Sequence, residues 1–463
     1  MRGSLLPMAS SKLLGLAGPV YVELLSGVVA GIVDTFWVAR LGRTAIGAVA
    51  VASTVENVLL GVVLAIGIGA TVLLAPDRGA LRVTARAAGL LWLAVTPLVA
   101  LGGWAARAPL AAALTGGDAA QSGPTAAFLA ISMPGIAVFF AQNVVDGVFK
   151  GLGDTRTPMR MALLANATLL VLDPVLIYGL LGAPRLGVTG AALALVASRV
   201  APLVISLLRV RRLLGRDDAS TSGPTDRLTT RQAARRILRV GVPTAADFVT
   251  RMLIGLAMVA LTARFGAVPL AAYGIGTRIM LLATMAFYAV RQAASIRLST
   301  APDALAPIGR EALRLAWSAA LVADAVLLAA PEPLLRLFTH DAAVVHTGVV
   351  LLRYLAGYLL ALAGVVALAG ALLATGRAPV MFRITLVGAA VQIALAWALS
   401  SAGGAQGVWL AMVLGTALQF ALTLGALFLP GGSRGMVSAP PPSALGAAAT
   451  ERSRGSSPRP SSR

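Results

Sequence analysis

Cysteine is absent from the 463-residue chain, which excludes disulfides, iron–sulfur clusters and thiolate metal sites. Histidine occurs only as His340 and His346, both in one short connection, and both read as solvated loop residues rather than metal ligands. Charge is scarce as well. Asp, Glu, Lys and Arg make up 12% of the residues, about half the share of an average soluble protein. Lysine is nearly missing: Lys12 and Lys150 stand beside 36 arginines, an imbalance that reads as a GC-rich bacterial genome. Neither lysine follows a Gly-rich turn or precedes Ser or Thr, since Leu13 follows Lys12 and Gly151 follows Lys150. The chain therefore has no nucleotide-binding P-loop of its own. The one close acidic pair, Asp217-Asp218, falls in a polar connector, which argues against a membrane-embedded transferase using a metal–diphosphate.

What the chain has in abundance is apolar length. Hydrophobic residues make up 58%, mean hydropathy is +0.86, and continuous apolar runs long enough to cross a bilayer recur from end to end. Continuous rather than alternating runs point to helices and not to a barrel. The pattern predicts an all-α integral membrane protein of about twelve transmembrane helices. They are expected near 13–38, 44–74, 84–104, 124–149, 157–180, 186–212, 237–263, 269–297, 311–330, 343–374, 380–400 and 405–429. The first run is too long for a cleaved signal. The expected organisation is a cytoplasmic start (1–12), a first lobe (13–213), an Arg-rich cytoplasmic linker (214–236), a second lobe (237–430) and a disordered Gly/Pro/Ser/Arg tail (431–463).

The net charge of +20 would suggest nucleic acid in a soluble protein, but its distribution says otherwise. Of 38 basic residues, 27 fall in the termini and alternate loops, 6 in the other loops and 5 inside helices. By the positive-inside rule this register places both termini and the linker in the cytoplasm. Nucleic acid is not needed as a partner.

The two halves echo each other. Pro19 and Gly42 are separated as Pro243 and Gly266 are; Glu23 then matches Asp247, and Ala39-Arg40-Leu41-Gly42 matches Ala263-Arg264-Phe265-Gly266. Gly153 to Pro158 resembles Gly376 to Pro379, and Gly187-Val188 resembles Gly407-Val408. Six helices per half make these parallel repeats, the usual construction of a transporter with two lobes about a central cavity.

Ionisable residues within membrane helices are costly and are functional candidates by default. Asp34 in the first helix and Asp173 in the fifth are each expected about eight residues inside the outer end, with Pro174 disturbing the backbone beside Asp173. A proton or sodium site is one reading of the pair; acids satisfied within the bundle is the other. Glu23, Gly27, Ala30 and Asp34 share one face of the first helix, either a cavity wall or a packing stripe. Gln142, Asn143, Asp146 and Lys150 form a polar face on the fourth helix, where Asp146–Lys150 is expected to be an ion pair four residues apart. Asp247–Arg251 has the same spacing and the same expectation. The roles of Glu56 and Asp324 are open.

Three runs, Val33-Asp34-Thr35-Phe36-Trp37-Val38-Ala39-Arg40-Leu41-Gly42, Lys150 to Pro158, and Leu172-Asp173-Pro174-Val175-Leu176-Ile177-Tyr178-Gly179, together resemble the multidrug and toxic compound extrusion (MATE) family, most closely its DinF-like branch. The resemblance covers residues 12–430. It implies two six-helix lobes forming a V and an ion-coupled antiporter exporting organic, often cationic, compounds. It assigns the coupling ion to Asp34 and Asp173. The cavity lining expected around them is Glu23, Gln142, Asn143, Asp146 and Asn166, of which Asn143 and Asp146 match polar family positions near the site. Relatives that bind sodium place Asn and Thr where this chain has Leu169 and Leu195, which tilts the expectation to protons. The expected partners are the lipid bilayer, a small organic substrate and the coupling ion; the expected state is a cofactor-free monomer in a bacterial cytoplasmic membrane. A flippase for lipid-linked oligosaccharide or lipid II is the alternative, with Arg199, Arg251, Arg278, Arg291 and Arg353 as candidates to receive a pyrophosphate.

Overall fold

The computed structural model describes residues 6–116, 118–217 and 228–428. The expected tail, and residues 218–227 of the linker, lie outside the described residues. Regular structure among the described residues is helical throughout: α1 (Leu6–Ala39), α2 (Arg43–Leu74), α3 (Leu81–Ala105), α4 (Arg107–Leu114), α5 (Ala119–Gly151), α6 (Arg156–Tyr178), α7 (Val188–Asp217), α8 (Thr230–Ala263), α9 (Ala267–Thr300), α10 (Leu305–Ala329), α11 (Pro331–Arg336), α12 (Ala342–Ala374) and α13 (Ala378–Phe428). Because α4 and α11 are short, the expected fourth, fifth and sixth spans are α5, α6 and α7. α13 is two spans joined at Gly404, whose φ of 56° breaks the helix. Among the described residues ten helices are long and apolar enough to cross a membrane; counting α13 as two and adding the 32-residue α2 gives the expected twelve.

Three helix ends reach beyond the sequence reading. α1 begins at Leu6 and α8 at Thr230, the latter with a capping box in which Thr229 and Gln232 exchange side-chain-to-backbone bonds. α7 continues to Asp217. Loss of hydropathy marks where a helix leaves the hydrocarbon, and an Arg-rich amphipathic turn can carry it further as helix.

The repeat extends to backbone detail. Gly42 and Gly266 sit at φ/ψ of 103°/175° and 105°/178°, each as the N-cap of the second helix of its half. That conformation excludes most side chains, which is why both positions are glycine. Trp92 donates to Ala137 O at 3.2 Å, and Trp317 donates to Leu360 O at 3.2 Å. One register expectation needs correction: Gly187 is echoed by Gly404, both at φ 56°, not by Gly407. Gly407 instead matches Gly190, since each lies against the carbonyl of the preceding helix's end, Leu399 and Leu176 respectively. Short α4 and α11 also occupy equivalent places, unannounced by hydropathy because neither is long enough to span.

The halves meet along α2–α8 and α1–α9. A Cβ at Gly69 would lie 2.4 Å from Ile237 O, one at Gly241 2.1 Å from Ala65 O, and one at Gly61 3.0 Å from Phe248. The seam thus occupies the C-terminal half of α2 and the N-terminal half of α8. Beyond it Ile46, Val58, Leu253 and Leu256 are exposed. α1 behaves alike: Leu13, Ala17 and Val20 are buried, while Val29, Ile32 and Phe36 are exposed. The halves meet on the side of the Arg-rich connector, and on the other side these faces of α1, α2 and α8 are uncovered.

Candidate functional site

The first half gathers its charged side chains inward from five helices. Asp34 and Asp173 each lie five residues before the end of their helix, Ala39 and Tyr178. At 1.5 Å per residue that is about 7.5 Å of depth, equal as expected but nearer the helix ends than the anticipated eight residues. The equal depth has a structural cause. Tyr178 hydroxyl donates to Trp37 carbonyl, and the two rings meet edge to face at 6.1 Å. This bond ties the end of α6 to a carbonyl in the last turn of α1 that otherwise accepts a turn bond from the Arg40 N–H at 3.3 Å. Gly179, left-handed at φ 73°, then turns the chain out of α6.

Asp173 is fully buried, and neither carboxylate oxygen has a hydrogen-bond partner among the described residues. Its surroundings are apolar: Ala30, Leu169 and Ala194 form a buried cluster against Leu172, Leu176 and Leu195. Asp34 is the charged neighbour whose field reaches it. Such a pocket suits a neutral carboxylic acid, because an ionised one loses its hydration with nothing in return.

Deeper in the half, the expected Asp146–Lys150 pair is replaced. Lys150 Nζ lies 2.8 Å from Glu23 Oε1, whereas Asp146 accepts from Gln142 Nε2 at 2.8 Å. The same amide nitrogen reaches Ser206 Oγ at 3.3 Å. Asn166 donates to Ser26 Oγ at 2.9 Å, and Ser26 donates to Glu23 O at 2.8 Å. Asn166 therefore couples α6 to α1 beside Glu23. Asn143 stands apart from this chain of bonds. Its side chain fills the space that a Cβ at Gly67 would need, 2.2 Å from Oδ1, so it belongs to the α2–α5 seam.

Two participants were not placed beside the Asp34–Asp173 pair from sequence. Arg199, its guanidinium 4.0 Å above the Phe139 ring, lies in the fields of both Glu56 and Asp146. Glu56 is likewise within reach of Asp34. These groups link the Asp34–Asp173 pair to the Glu23–Lys150 pair. Mid-membrane placement was the available signal for both; which groups they face depends on α2, α5 and α7 converging.

In the second half the Asp247–Arg251 pair forms as expected, at 3.2 Å, and Thr385 hydroxyl donates to Asp247 at 2.5 Å. Asp324 is buried with both carboxylate oxygens unpartnered among the described residues. The turn Gly151 to Pro158, part of the run from Lys150 to Pro158, has a structural role. Asp154 accepts from the backbone N–H of Arg156 and Thr157 and from Thr157 Oγ1, starting α6, while Gly153 takes φ 82°. Among the described residues no cluster of His, Cys, Asp or Glu could hold a metal ion.

The MatE family profile matches this chain twice, over residues 19–175 and 243–398, one match per half. A probable multidrug resistance protein NorM of Thermotoga maritima is 28% identical over 73% of this chain and 74% of its own length. The fold superposes with TM-score 0.80 on an outward-facing multidrug resistance MATE transporter of the MOP superfamily. That likeness covers 90% of this chain and 95% of the other at 20% identity. A MOP-superfamily transporter from Pyrococcus furiosus, described as having a binding pocket of reversed polarity, superposes with the same score and coverage at 20% identity. The chain is thus a multi-pass membrane transporter for small molecules rather than an enzyme, and it belongs to the MatE family, the multidrug and toxic compound extrusion transporters.

Proposed function

We propose that the chain exports organic cations across a bacterial cytoplasmic membrane in exchange for protons, with Asp34 and Asp173 as the coupling site. The observation that carries this reading is Asp173 itself, buried with two unpartnered oxygens beside Asp34. A hard cation prefers several oxygen ligands, and Leu169 and Leu195 supply none; a proton needs one carboxylate. Preference for cations is supported by the charge inside the first half. Among the described residues, the cations whose fields reach Glu23, Asp34, Glu56, Asp146 and Asp173 are Lys150 and Arg199.

In this cycle protons arrive on the side away from the Arg-rich connector. With the connector and both termini in the cytoplasm, the uncovered side of α1, α2 and α8 faces outward. Protonation removes buried charge, lets α6 repack at the Pro174 break and releases the bound cation outside. Deprotonation on the cytoplasmic side restores the negative field for the next one. The working unit is a monomer without cofactor, and Glu23, Gln142, Asn143, Asp146 and Asn166 line or brace its cavity. A pyrophosphate-binding flippase is not favoured: the cations facing the first half's interior are outnumbered by carboxylates, and Arg278 and Arg353 are exposed.

Proteoliposomes with imposed gradients test this. Export of a fluorescent organic cation is expected with a pH gradient and no sodium. Export that follows a sodium gradient without a pH gradient would overturn proton coupling.

A further inference from the structure

The repeat makes one asymmetry between the halves legible. Residues 224 apart are equivalent in the first two helices of each half, as Pro19 is to Pro243 and Gly42 to Gly266. Arg251 and Arg291 therefore occupy the places that Gly27 and Gly67 hold in the first half. The backbone at these places is shared: a Cβ at Gly147 would meet Gly67 O at 2.4 Å, and one at Gly370 would meet Arg291 O at 2.5 Å. Glycine satisfies the fold at both first-half positions, so neither arginine is demanded by packing.

The field of one carboxylate, Asp247, reaches both cations, but its contacts go to Arg251. Asp247 Oδ2 accepts from Arg251 Nε at 3.2 Å, and Asp247 Oδ1 accepts from Thr385 and, at 3.4 Å, from the Arg251 terminal nitrogen. The same nitrogen donates to Thr385 Oγ1 at 3.0 Å. Both oxygens of Asp247 are thereby engaged. Arg291 has no ion pair or hydrogen bond from its side chain among the described residues. Its guanidinium lies 5.8 Å from the Tyr288 ring centre and within the fields of Asp247 and Arg251. Tyr358 of α12 is a further electrostatic neighbour of Arg251 and Tyr288. Four helices, α8, α9, α12 and α13, converge on this group, so Arg291 faces into the second half. An uncompensated guanidinium there is costly unless an anion or water meets it, and a planar fork beside tyrosines suits a carboxylate on an aromatic body.

We propose that Arg291, braced by the Arg251–Asp247–Thr385 network, forms an anion subsite that receives a carboxylate of the exported molecule. The favoured cargo is then zwitterionic, with its cationic centre drawn to the acids of the first half and its carboxylate to the second. This rests on the reading of the chain as an exporter of organic cations, which export of a cationic dye along an imposed pH gradient tests separately.

The decisive comparison uses a rhodamine carrying a free carboxylate and its methyl ester, which share the xanthylium cation and differ only in the anionic group. Equilibrium binding to the purified, detergent-solubilised protein needs no transport. The wild-type chain is expected to bind the acid about tenfold more tightly than the ester, the usual scale for one charge-assisted contact. Arg291→Gln should bring that ratio close to one, and Arg291→Lys should restore part of it. A wild-type ratio of one or below, binding of neither dye, or a ratio unchanged in Arg291→Gln would each overturn the subsite. The wild-type ratio stands as a test even where a variant fails to fold.

Discussion

Lys150 of α5 is neutralised by Glu23 of α1, 2.8 Å away, and not by Asp146 one turn earlier in its own helix. The pair joins two helices, and both partners are largely buried, with side-chain exposures of 10% and 15%. Removing one member strands the other. Lys150→Met and Glu23→Gln should each lower stability by about 3 kcal/mol, as for other broken buried pairs. The combined variant should recover most of it. Thermal unfolding of the purified protein in detergent reads this as two lowered midpoints and one restored; equal losses in all three would mean that the pair is not coupled.

The coupling acids are addressed by substitutions that keep shape and remove titration. Asp34→Asn and Asp173→Asn should each abolish export driven by a pH gradient while leaving the protein folded, since Asp173 lies in an apolar pocket that tolerates a neutral group. Full activity in both variants would remove these residues from the mechanism.

Close helix approach makes a sharp contrast among glycines. Gly147→Ala places a methyl group 2.4 Å from Gly67 carbonyl, and Gly370→Ala places one 2.5 Å from Arg291 carbonyl. Backbone cannot yield cheaply, so each should cost about 1–3 kcal/mol. Gly27→Ala meets nothing within 4 Å and should be neutral or slightly stabilising. Melting midpoints of the three variants check the order.

Orientation is tested by labelling. A single Cys at Ser220, in the connector, should react with an impermeant maleimide only from the cytoplasm. One at Ser122, in the first turn of α5, should react only from outside. Modification of both from one side contradicts the twelve-span topology.

Composition and periodicity were enough for the all-helical class, the twelve spans and the internal repeat, because crossing a bilayer leaves a residue count that survives without knowledge of contacts. Asp34 and Asp173 were legible as candidates since an acid in an apolar run is conspicuous. Pairings were not. The spacing of Asp146 and Lys150 admitted a bond within α5, and only the arrival of α1 alongside gave Lys150 a better partner in Glu23. Asn143 looked like cavity lining, yet the absence of a side chain at Gly67, on another helix, draws it into a seam. Gly187 and Gly407 looked equivalent in sequence, while backbone conformation pairs Gly187 with Gly404. Arg199 sits between Glu56 and Asp146 only because α2, α5 and α7 converge. The sequence by itself determined which groups must leave water, since that follows from local hydropathy. Which group each of them meets there was decided by tertiary structure, because within the bundle a charge is satisfied across helices far apart in the chain.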